Sequence, residues 1–211
     1  MSRPVSLPDA LRVVVILDAG VAGGRDLAAL AAHATRGGAT MLQVRAKDTA
    51  ARSLAELVRR VMSATTLPVV VNDRLDVALA TGAAGCHLGQ DDLPIDAARG
   101  IAPAAFWLGG SAGDPDEACR AVGAGAQYLV IGPIAITASK ADAGAAIGVE
   151  GFRRAHAAAP GVPAVAIGGV TLSLVPALMA AGANGVAVIR AVLDASDPES
   201  ATRNLRMAVG R

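Results

Sequence analysis

Short apolar runs alternate along the whole chain with longer Ala- and Leu-rich segments whose apolar positions recur every three to four residues. The first kind of segment is typical of buried parallel strands, and the second is typical of helices that pack one face on a sheet. This pattern predicts eight strands, at 13–17, 41–44, 69–71, 85–88, 106–109, 128–131, 164–167 and 185–189. It also predicts eight helices, at 25–36, 52–64, 75–81, 95–100, 115–122, 149–158, 172–181 and 198–209.

An eightfold alternation within 211 residues predicts a single (β/α)8 TIM barrel over residues 1–211 rather than an open doubly wound sheet. No GxGxxG sequence opens the first helix, as a dinucleotide-binding sheet would require. Active sites of closed barrels lie in the loops that follow the carboxyl ends of the strands. We therefore expect the chemistry among the polar residues that come just after each strand.

Composition narrows the kinds of partner. Apolar residues make up 53% of the chain but aromatic residues only 2%, and the net charge is +1 without a basic run. Few aromatic rings and no excess of positive charge argue against nucleic acid. Small molecules are the expected ligands, and the Ala- and Val-rich composition is compatible with a homodimer.

The same composition bears on location. Residues 155–189 carry no Asp, Glu, Lys or Arg, which is long enough for a membrane span, but proline and glycine break the segment into strand, loop, helix and strand. Cys86 and Cys119 form no CxxC pair, and the beginning of the chain has no signal-peptide pattern. We expect no membrane association and a cytoplasmic protein.

Two cationic residues follow the second predicted strand, and one more lies in the loop 132–148. Only two of the 19 lysine and arginine residues are lysines, Lys47 and Lys140, and both fall in strand-exit loops. Gln43, Arg45 and Lys47 are spaced by two, which places their side chains on one side of an extended chain. With Asn72 and Lys140 they would form a pocket for an anion such as pyrophosphate. The alternative for Lys47 is an ordinary solvated loop.

Two carboxylates follow neighbouring strands, Asp73 after the third and Asp92 after the fourth. Beside a cationic pocket they suggest Mg²⁺ bridging the protein to phosphate oxygens. Helix capping is the alternative, because Asp92 precedes Leu93-Pro94 and Asp73 lies two residues before a predicted helix. His87 lies on a strand and is interpreted as a hydrogen-bonded core residue.

The seventh and eighth strands suggest a second anion site. Gly168-Gly169 ends the seventh strand, and adjacent glycines let backbone N–H groups approach a phosphate closely. Ile189 and Arg190 at the end of the eighth strand are counted with this site. The loop 132–148, rich in Ala, Gly and hydroxyl residues, is interpreted as a mobile lid that carries Thr137 and Ser139 besides its lysine.

In combination these motifs resemble thiamine phosphate synthase, a (β/α)8 family that joins the pyrimidine and thiazole halves of thiamine. The resemblance covers nearly the whole chain in order. It runs through Leu42-Gln43-Val44-Arg45-Ala46-Lys47, Asn72-Asp73-Arg74, His87-Leu88-Gly89-Gln90-Asp91-Asp92, Gly132-Pro133 with Thr137 to Lys140, and Ile167-Gly168-Gly169.

The resemblance implies roles for individual residues. The pyrimidine diphosphate would be bound by Gln43, Arg45, Lys47, Asn72 and Lys140, and Mg²⁺ by Asp73 and Asp92. Ser111, Thr137 and Gly169 would lie near the thiazole phosphate, and Ser139 would bind substrate from the lid. The catalytic set would be Arg45, Lys47, Ser111 and Lys140. The implied reaction is dissociative: pyrophosphate departs, a pyrimidine-methyl carbocation forms, and the thiazole nitrogen captures it.

Several positions depart from the family pattern. Ala135-Ile136 stands where an aromatic residue and proline are common, Ser139 replaces a threonine, and Arg190 stands where many members have serine. Gly110-Ser111-Ala112-Gly113 lacks the bulkier neighbours often seen in this family. Two other functions compete with synthesis: a thiazole tautomerase-like enzyme, which needs neither Mg²⁺ nor pyrophosphate, and a non-catalytic protein that binds thiamine phosphate.

Overall fold

The apolar runs form the strands of a closed barrel in the computed structural model, which describes residues 5–137 and 144–210. Neighbouring strands are parallel and follow one another in chain order, and the eighth pairs with the first. The predicted (β/α)8 fold is therefore confirmed. The strands are β1 (Val13–Asp18), β2 (Met41–Arg45), β3 (Val69–Asn72), β4 (Gly85–Leu88), β5 (Trp107–Ala112), β6 (Tyr128–Ile131), β7 (Ala164–Ile167) and β8 (Gly185–Val188).

Helices follow the strands along the chain, and one short helix precedes the first strand. Within the described ranges they are α1 (Leu7–Ala10), α2 (Ala19–Ala22), α3 (Leu27–Gly37), α4 (Ala51–Ser63), α5 (Leu75–Thr81), α6 (Ile95–Ile101), α7 (Pro115–Gly123), α8 (Gly148–Ala157), α9 (Val175–Ala180), α10 (Arg190–Leu193) and α11 (Pro198–Val209). The sequence pattern did not predict α1, α2 and α10, because a single turn has too few positions to show a period. None of the helices in these ranges is long and apolar enough to cross a membrane.

One predicted helix starts too early. The pattern placed its beginning at Leu172, whereas α9 begins at Val175. The intervening residues form a turn in which the Leu174 N–H donates to the Thr171 carbonyl at 3.0 Å, and the hydroxyls of Thr171 and Ser173 lie 2.9 Å apart. Local side-chain bonds of this kind favour a turn over a helix.

Apolar side chains fill two separate regions. The larger cluster lies between the strands and the helices, where alternate strand residues such as Val13, Val15 and Leu17 are fully buried. The smaller cluster fills the inside of the barrel and includes Leu11, Met41, Tyr128 and Val165, among others. Because Leu11 precedes β1, this inner cluster closes the amino-terminal end, and the carboxyl end is left for the cavity described below.

The fifth strand is longer than predicted. The pattern ended it at Gly109, but β5 continues to Ala112, so Ser111 lies within the strand rather than after it. Two glycines in this strand are needed for packing rather than for a turn: a Cβ on Gly109 would lie 2.1 Å from the Tyr128 ring, and one on Gly110 would lie 2.9 Å from the Ile95 side chain. Glycine inside a strand often marks such a close approach.

Candidate active site

A cavity of about 510 Å³ opens at the carboxyl ends of the strands. This volume lies within the usual range of small-molecule sites. Its polar lining comes mainly from β2 to β5 and the loops after them: Gln43, Arg45, Lys47, Asn72, Asp73, His87, Asp92 and Ser111. Its apolar lining comes mainly from β1 and β6 to β8: Ile16, Val130, Ile147, Ile167, Val170, Ala187, Val188 and Ile189. The cavity therefore offers a charged half and an apolar half to a ligand.

The row of side chains on β2 leads from the inside of the barrel to its mouth. Gln43 is buried, Arg45 is partly buried and Lys47 is exposed, as expected for alternate residues of a strand that emerges from a sheet. The Arg45 guanidinium donates a hydrogen bond to the Asp18 carboxylate, which is buried at the end of β1. Asp18 and Arg45 are direct partners in the pairing of the two strands. The row is thus anchored on one side by an ion pair.

Asp73 and Asp92 meet in the charged half. Their carboxyl groups are within hydrogen-bonding contact, and burial together with the nearby Asp92 raises the pKa of Asp73 to about 6, although Arg45 and Lys47 act in the opposite direction. A carboxyl whose pKa is raised in this way lacks enough positive charge around it. The pair therefore suits an added cation.

Local backbone geometry brings these carboxylates together. Asp73 has φ 63°, in the left-handed region, and its N–H donates to the His87 carbonyl at 2.8 Å. Asp92 accepts a hydrogen bond from the Gly89 N–H at 2.6 Å, and a Cβ on Gly89 would lie 2.9 Å from the same oxygen. Such a φ is uncommon for a residue other than glycine and marks a constrained site.

Neither aspartate caps a helix. The residue that precedes α5 is Arg74 and the one that precedes α6 is Pro94, and neither helix start has a side-chain cap. The capping alternative is therefore wrong for Asp73 and for Asp92. In the described ranges no group of three or more His, Cys, Asp or Glu side chains could hold a metal ion, so an ion at this pair would need further oxygen ligands from water or a ligand.

His87 and Ser111 form the floor of the cavity. The His87 Nε2 and the Ser111 hydroxyl lie 2.9 Å apart, and the imidazole lies near the Tyr128 ring, with 6.1 Å between the ring centroids. His87 is buried and hydrogen-bonded, in agreement with its interpretation as a core residue. It also lines the cavity, together with other polar residues at the carboxyl ends of the strands.

The glycine pair lies on the opposite side of the mouth. Gly168 and Gly169 have φ 87° and 65°, and a Cβ on either would lie less than 3 Å from the loop after β6. The Ala135 N–H donates to the Gly168 carbonyl at 2.9 Å, which fixes that loop against the end of β7. Arg190 lines the same side, and its guanidinium donates to the Asp194 carboxylate at 3.0 Å.

The predicted site residues are brought together by the fold. Those within the described ranges line this one cavity: Gln43, Arg45, Lys47, Asn72, Asp73, Asp92, Ser111, Thr137, Gly169, Ile189 and Arg190. Ser139 and Lys140, and with them the central part of the predicted lid, lie outside the described residues.

Other lining residues escaped the sequence reasoning. Glu117, in the first turn of α7, lines the cavity and accepts a hydrogen bond from the Gly113 N–H at 2.6 Å. Its sequence context, Asp114-Pro115 followed by acidic residues, reads as an ordinary helix start. Ile16, Val130 and Ile167 were missed because inward-facing apolar residues look the same in sequence whether they meet a ligand or a core.

A closed barrel of eight parallel strands has a cavity at the carboxyl ends of its strands, and the cavity lining is charged on one side and apolar on the other. This is the architecture of the (β/α)8 enzymes. Comparison with known proteins gives the family. The family model described as thiamine monophosphate synthase matches residues 13–192, and the chain belongs to this family. It is accordingly a transferase of thiamine biosynthesis.

Several curated thiamine-phosphate synthases are similar to this chain over nearly the full length of both sequences. The thiamine-phosphate synthase of Methanoregula boonei is 46% identical over 93% of this chain and 92% of its own, and that of Moorella thermoacetica is 45% identical over 93% and 95%. Among solved structures, a thiamine phosphate pyrophosphorylase from Pyrococcus furiosus is 35% identical, with a TM-score of 0.88 over 97% of this chain and 98% of that one. A 3-hexulose-6-phosphate synthase shares the fold, with a TM-score of 0.70 at 19% identity over 93% and 99%.

Proposed function

We propose that the enzyme joins 4-amino-5-hydroxymethyl-2-methylpyrimidine diphosphate to 4-methyl-5-(2-hydroxyethyl)thiazole phosphate, releasing pyrophosphate and forming thiamine phosphate. The observation that carries the proposal is the charged half of the cavity. There, two cationic side chains on β2 and the loop after it, Arg45 and Lys47, adjoin the Asp73–Asp92 carboxylate pair. A diphosphate needs cations and hydrogen-bond donors of this kind in one place.

The carboxylate pair fits Mg²⁺. Two oxygen ligands, one of them with a raised pKa, are a hard-donor set that lacks positive charge, and Mg²⁺ commonly takes one or two carboxylates together with substrate phosphate. Asp73 and Asp92 would hold the ion. When bound, it would neutralise charge on the departing diphosphate.

In the reaction, the bond between the pyrimidine methylene carbon and the diphosphate oxygen breaks first, and its electron pair leaves with pyrophosphate. Arg45, Lys47 and Lys140 would stabilise the developing negative charge, because preorganised cations in a water-poor site act strongly there. The thiazole nitrogen then donates its lone pair to the methylene carbocation, which forms the new C–N bond. No side chain serves as a nucleophile.

The remaining residues would hold the two rings in place. Gln43 and Asn72 would supply hydrogen-bonding groups to the pyrimidine diphosphate, and the His87–Ser111 pair would do so from the floor of the cavity. The apolar half of the cavity can cover the heterocycles and exclude water. Gly169 and Arg190 lie across the mouth from the charged half and would receive the thiazole phosphate, with Thr137 beside them. Ser139 and Lys140 would close the site from the lid.

The test is a mixing assay with both substrates, with and without Mg²⁺, in which pyrophosphate release is measured. Asp92→Asn is expected to lower kcat, and Lys140→Ala to lower kcat and raise the KM for the diphosphate. The matched control is Asp96→Asn, at an exposed position in the first turn of α6 four residues after Asp92, and it is expected to behave like the wild type.

The outcomes separate this proposal from its rivals. Mg²⁺-dependent pyrophosphate release that is lost in Asp92→Asn supports synthesis. Turnover of a thiazole phosphate alone, without Mg²⁺, would show a tautomerase-like enzyme. Thermal stabilisation by thiamine phosphate without any turnover would show a binding protein. We also propose that the enzyme acts in the cytoplasm, and that its partners are small phosphorylated molecules rather than nucleic acid. Analytical sedimentation would test whether it forms a homodimer.

A further inference from the structure

We infer that Asp18, at the end of β1, is a positioning residue that holds Arg45 in its diphosphate-binding orientation. This inference rests on the proposed function and goes beyond it, because Asp18 itself does not line the cavity. Its carboxylate accepts two hydrogen bonds, one from the Arg45 guanidinium and one from the Val21 N–H at 3.0 Å.

Burial makes this contact different from a surface ion pair. The side chain of Asp18 is 5% exposed and that of Arg45 16% exposed, whereas the pair Arg60–Asp26 on the surface has 63% and 50%. A charge as buried as Asp18 is costly unless a partner compensates it. The need for a partner therefore ties Arg45 to Asp18.

Capping alone does not account for Asp18. The helix that it caps, α2, has four residues and is followed by Gly23 in the left-handed conformation. An N-cap for so short a helix does not need to be a residue of a barrel strand. Asp18, however, pairs directly with Arg45 in the strand register, which brings its second oxygen to the guanidinium.

The position of Arg45 matters because the carboxylates of Asp73 and Asp92 also attract its guanidinium. The charge of Arg45 acts on Asp73 in the charged half of the cavity. Without Asp18, the Arg45 guanidinium would be attracted to the Asp73–Asp92 carboxylates and would occupy the proposed Mg²⁺ site. Asp18 holds one of its nitrogens, and the remaining N–H donors of the planar guanidinium are free to bind a diphosphate.

The experiment measures binding of inorganic pyrophosphate by calorimetry and the kinetics with both substrates. Asp18→Ala is expected to weaken pyrophosphate binding on the order of tenfold and to raise the KM for the pyrimidine diphosphate to a similar extent, since a small displacement of a binding group is costly. The KM for the thiazole phosphate should stay unchanged. Asp18→Asn, which keeps a capping oxygen, should show a smaller loss of the same kind.

Asp26→Ala is the matched control. Asp26 also caps a helix, α3, by accepting from the Ala28 N–H at 3.1 Å, and also pairs with an arginine, Arg60, at 2.7 Å, but away from the cavity. It should lose stability without changing pyrophosphate binding. In an Arg45→Ala background, Asp18→Ala should cause no further loss of pyrophosphate binding, because its effect passes through Arg45.

Each result decides a separate statement. Wild-type pyrophosphate affinity in both Asp18 variants, or an equal loss in the Arg45→Ala background, overturns the positioning role. A wild-type protein that binds pyrophosphate but does not turn over the two substrates overturns the proposed function and leaves the Asp18 measurement intact. A wild-type protein that turns over both substrates but does not bind pyrophosphate overturns the positioning role and leaves the proposed function standing.

Discussion

Asp73→Asn should stabilise the protein when no metal is present. Asn tolerates the left-handed conformation of this position and has the same shape as Asp, so the substitution removes the charge and keeps the backbone. The rise of the Asp73 pKa from 3.8 to about 6 means that the folded protein disfavours the ionised carboxyl. That difference corresponds to at most about 3 kcal/mol of unfolding free energy, and solvent screening of this half-exposed group reduces it to about 1 kcal/mol.

The pH dependence has a definite sign. The ionised carboxyl costs the most above the folded pKa of about 6, and the cost shrinks as the folded protein takes up a proton below that value and vanishes below 3.8. The advantage of Asp73→Asn over the wild type should therefore be largest above about pH 7 and disappear near about pH 4. Urea denaturation in EDTA across this range measures it.

The control is Asp76→Asn, because ion pairing with Arg74 lowers the pKa of Asp76 and gives the opposite sign. Adding Mg²⁺ should reverse the order of Asp73→Asn and the wild type, since a ligand at one hundred times its Kd stabilises by about 2.7 kcal/mol. The reasoning is refuted if metal-free Asp73→Asn is less stable than the wild type at about pH 7.5, or if the difference does not change with pH.

Three further substitutions test the packing around the cavity. Gly109→Ala places a methyl group 2.1 Å from the Tyr128 ring and should lower the free energy of unfolding by about 3 kcal/mol or more, measured by denaturation. Tyr128→Phe should be neutral or stabilising by up to about 1 kcal/mol, because the buried hydroxyl has no hydrogen-bond partner among the described residues. Gly169→Ala, at φ 65° and with its Cβ 2.8 Å from that of Ala135, should raise the KM for the thiazole phosphate more than that for the diphosphate.

Each of these has a result that would contradict it. Gly100→Ala, at a helical position with no atom within 4 Å of the new Cβ, is the control for Gly109→Ala and should stabilise by about 0.5 kcal/mol. Equal stability of the two glycine variants would show that the barrel interior is not close-packed there. A loss of stability in Tyr128→Phe would indicate a buried water on the hydroxyl. An equal rise of both KM values in Gly169→Ala would place the effect on the loop rather than on one phosphate.

The barrel could be predicted because its strands are buried on both faces and therefore appear as apolar runs. The strand ends were less certain: Gly109 and Gly110 look like a stop, yet in β5 they make room for Tyr128 and Ile95. Sequence does not show which surface a glycine faces. The pattern therefore ended this strand three residues too early.

The charged half of the cavity could also be predicted, since parallel strands bring their carboxyl ends together. The contact between Asp18 and Arg45 could not, because it joins side chains 27 residues apart and depends on the pairing register of β1 and β2. The left-handed backbone conformation of Asp73 could not be predicted either. Asn72-Asp73-Arg74 resembles a capped helix start until the backbone is seen.

The unusual backbone at Asp73 has a consequence for protein engineering. Its carboxylate points toward its neighbour because the chain turns there into a conformation that most residues avoid, and the carbonyl of His87 on the next strand fixes that turn. If only the two aspartates were copied onto another (β/α)8 barrel, their carboxyl groups would point in different directions and would not meet. A successful graft would have to carry the peptide geometry of residues 72–74 and the adjoining strand end as one piece.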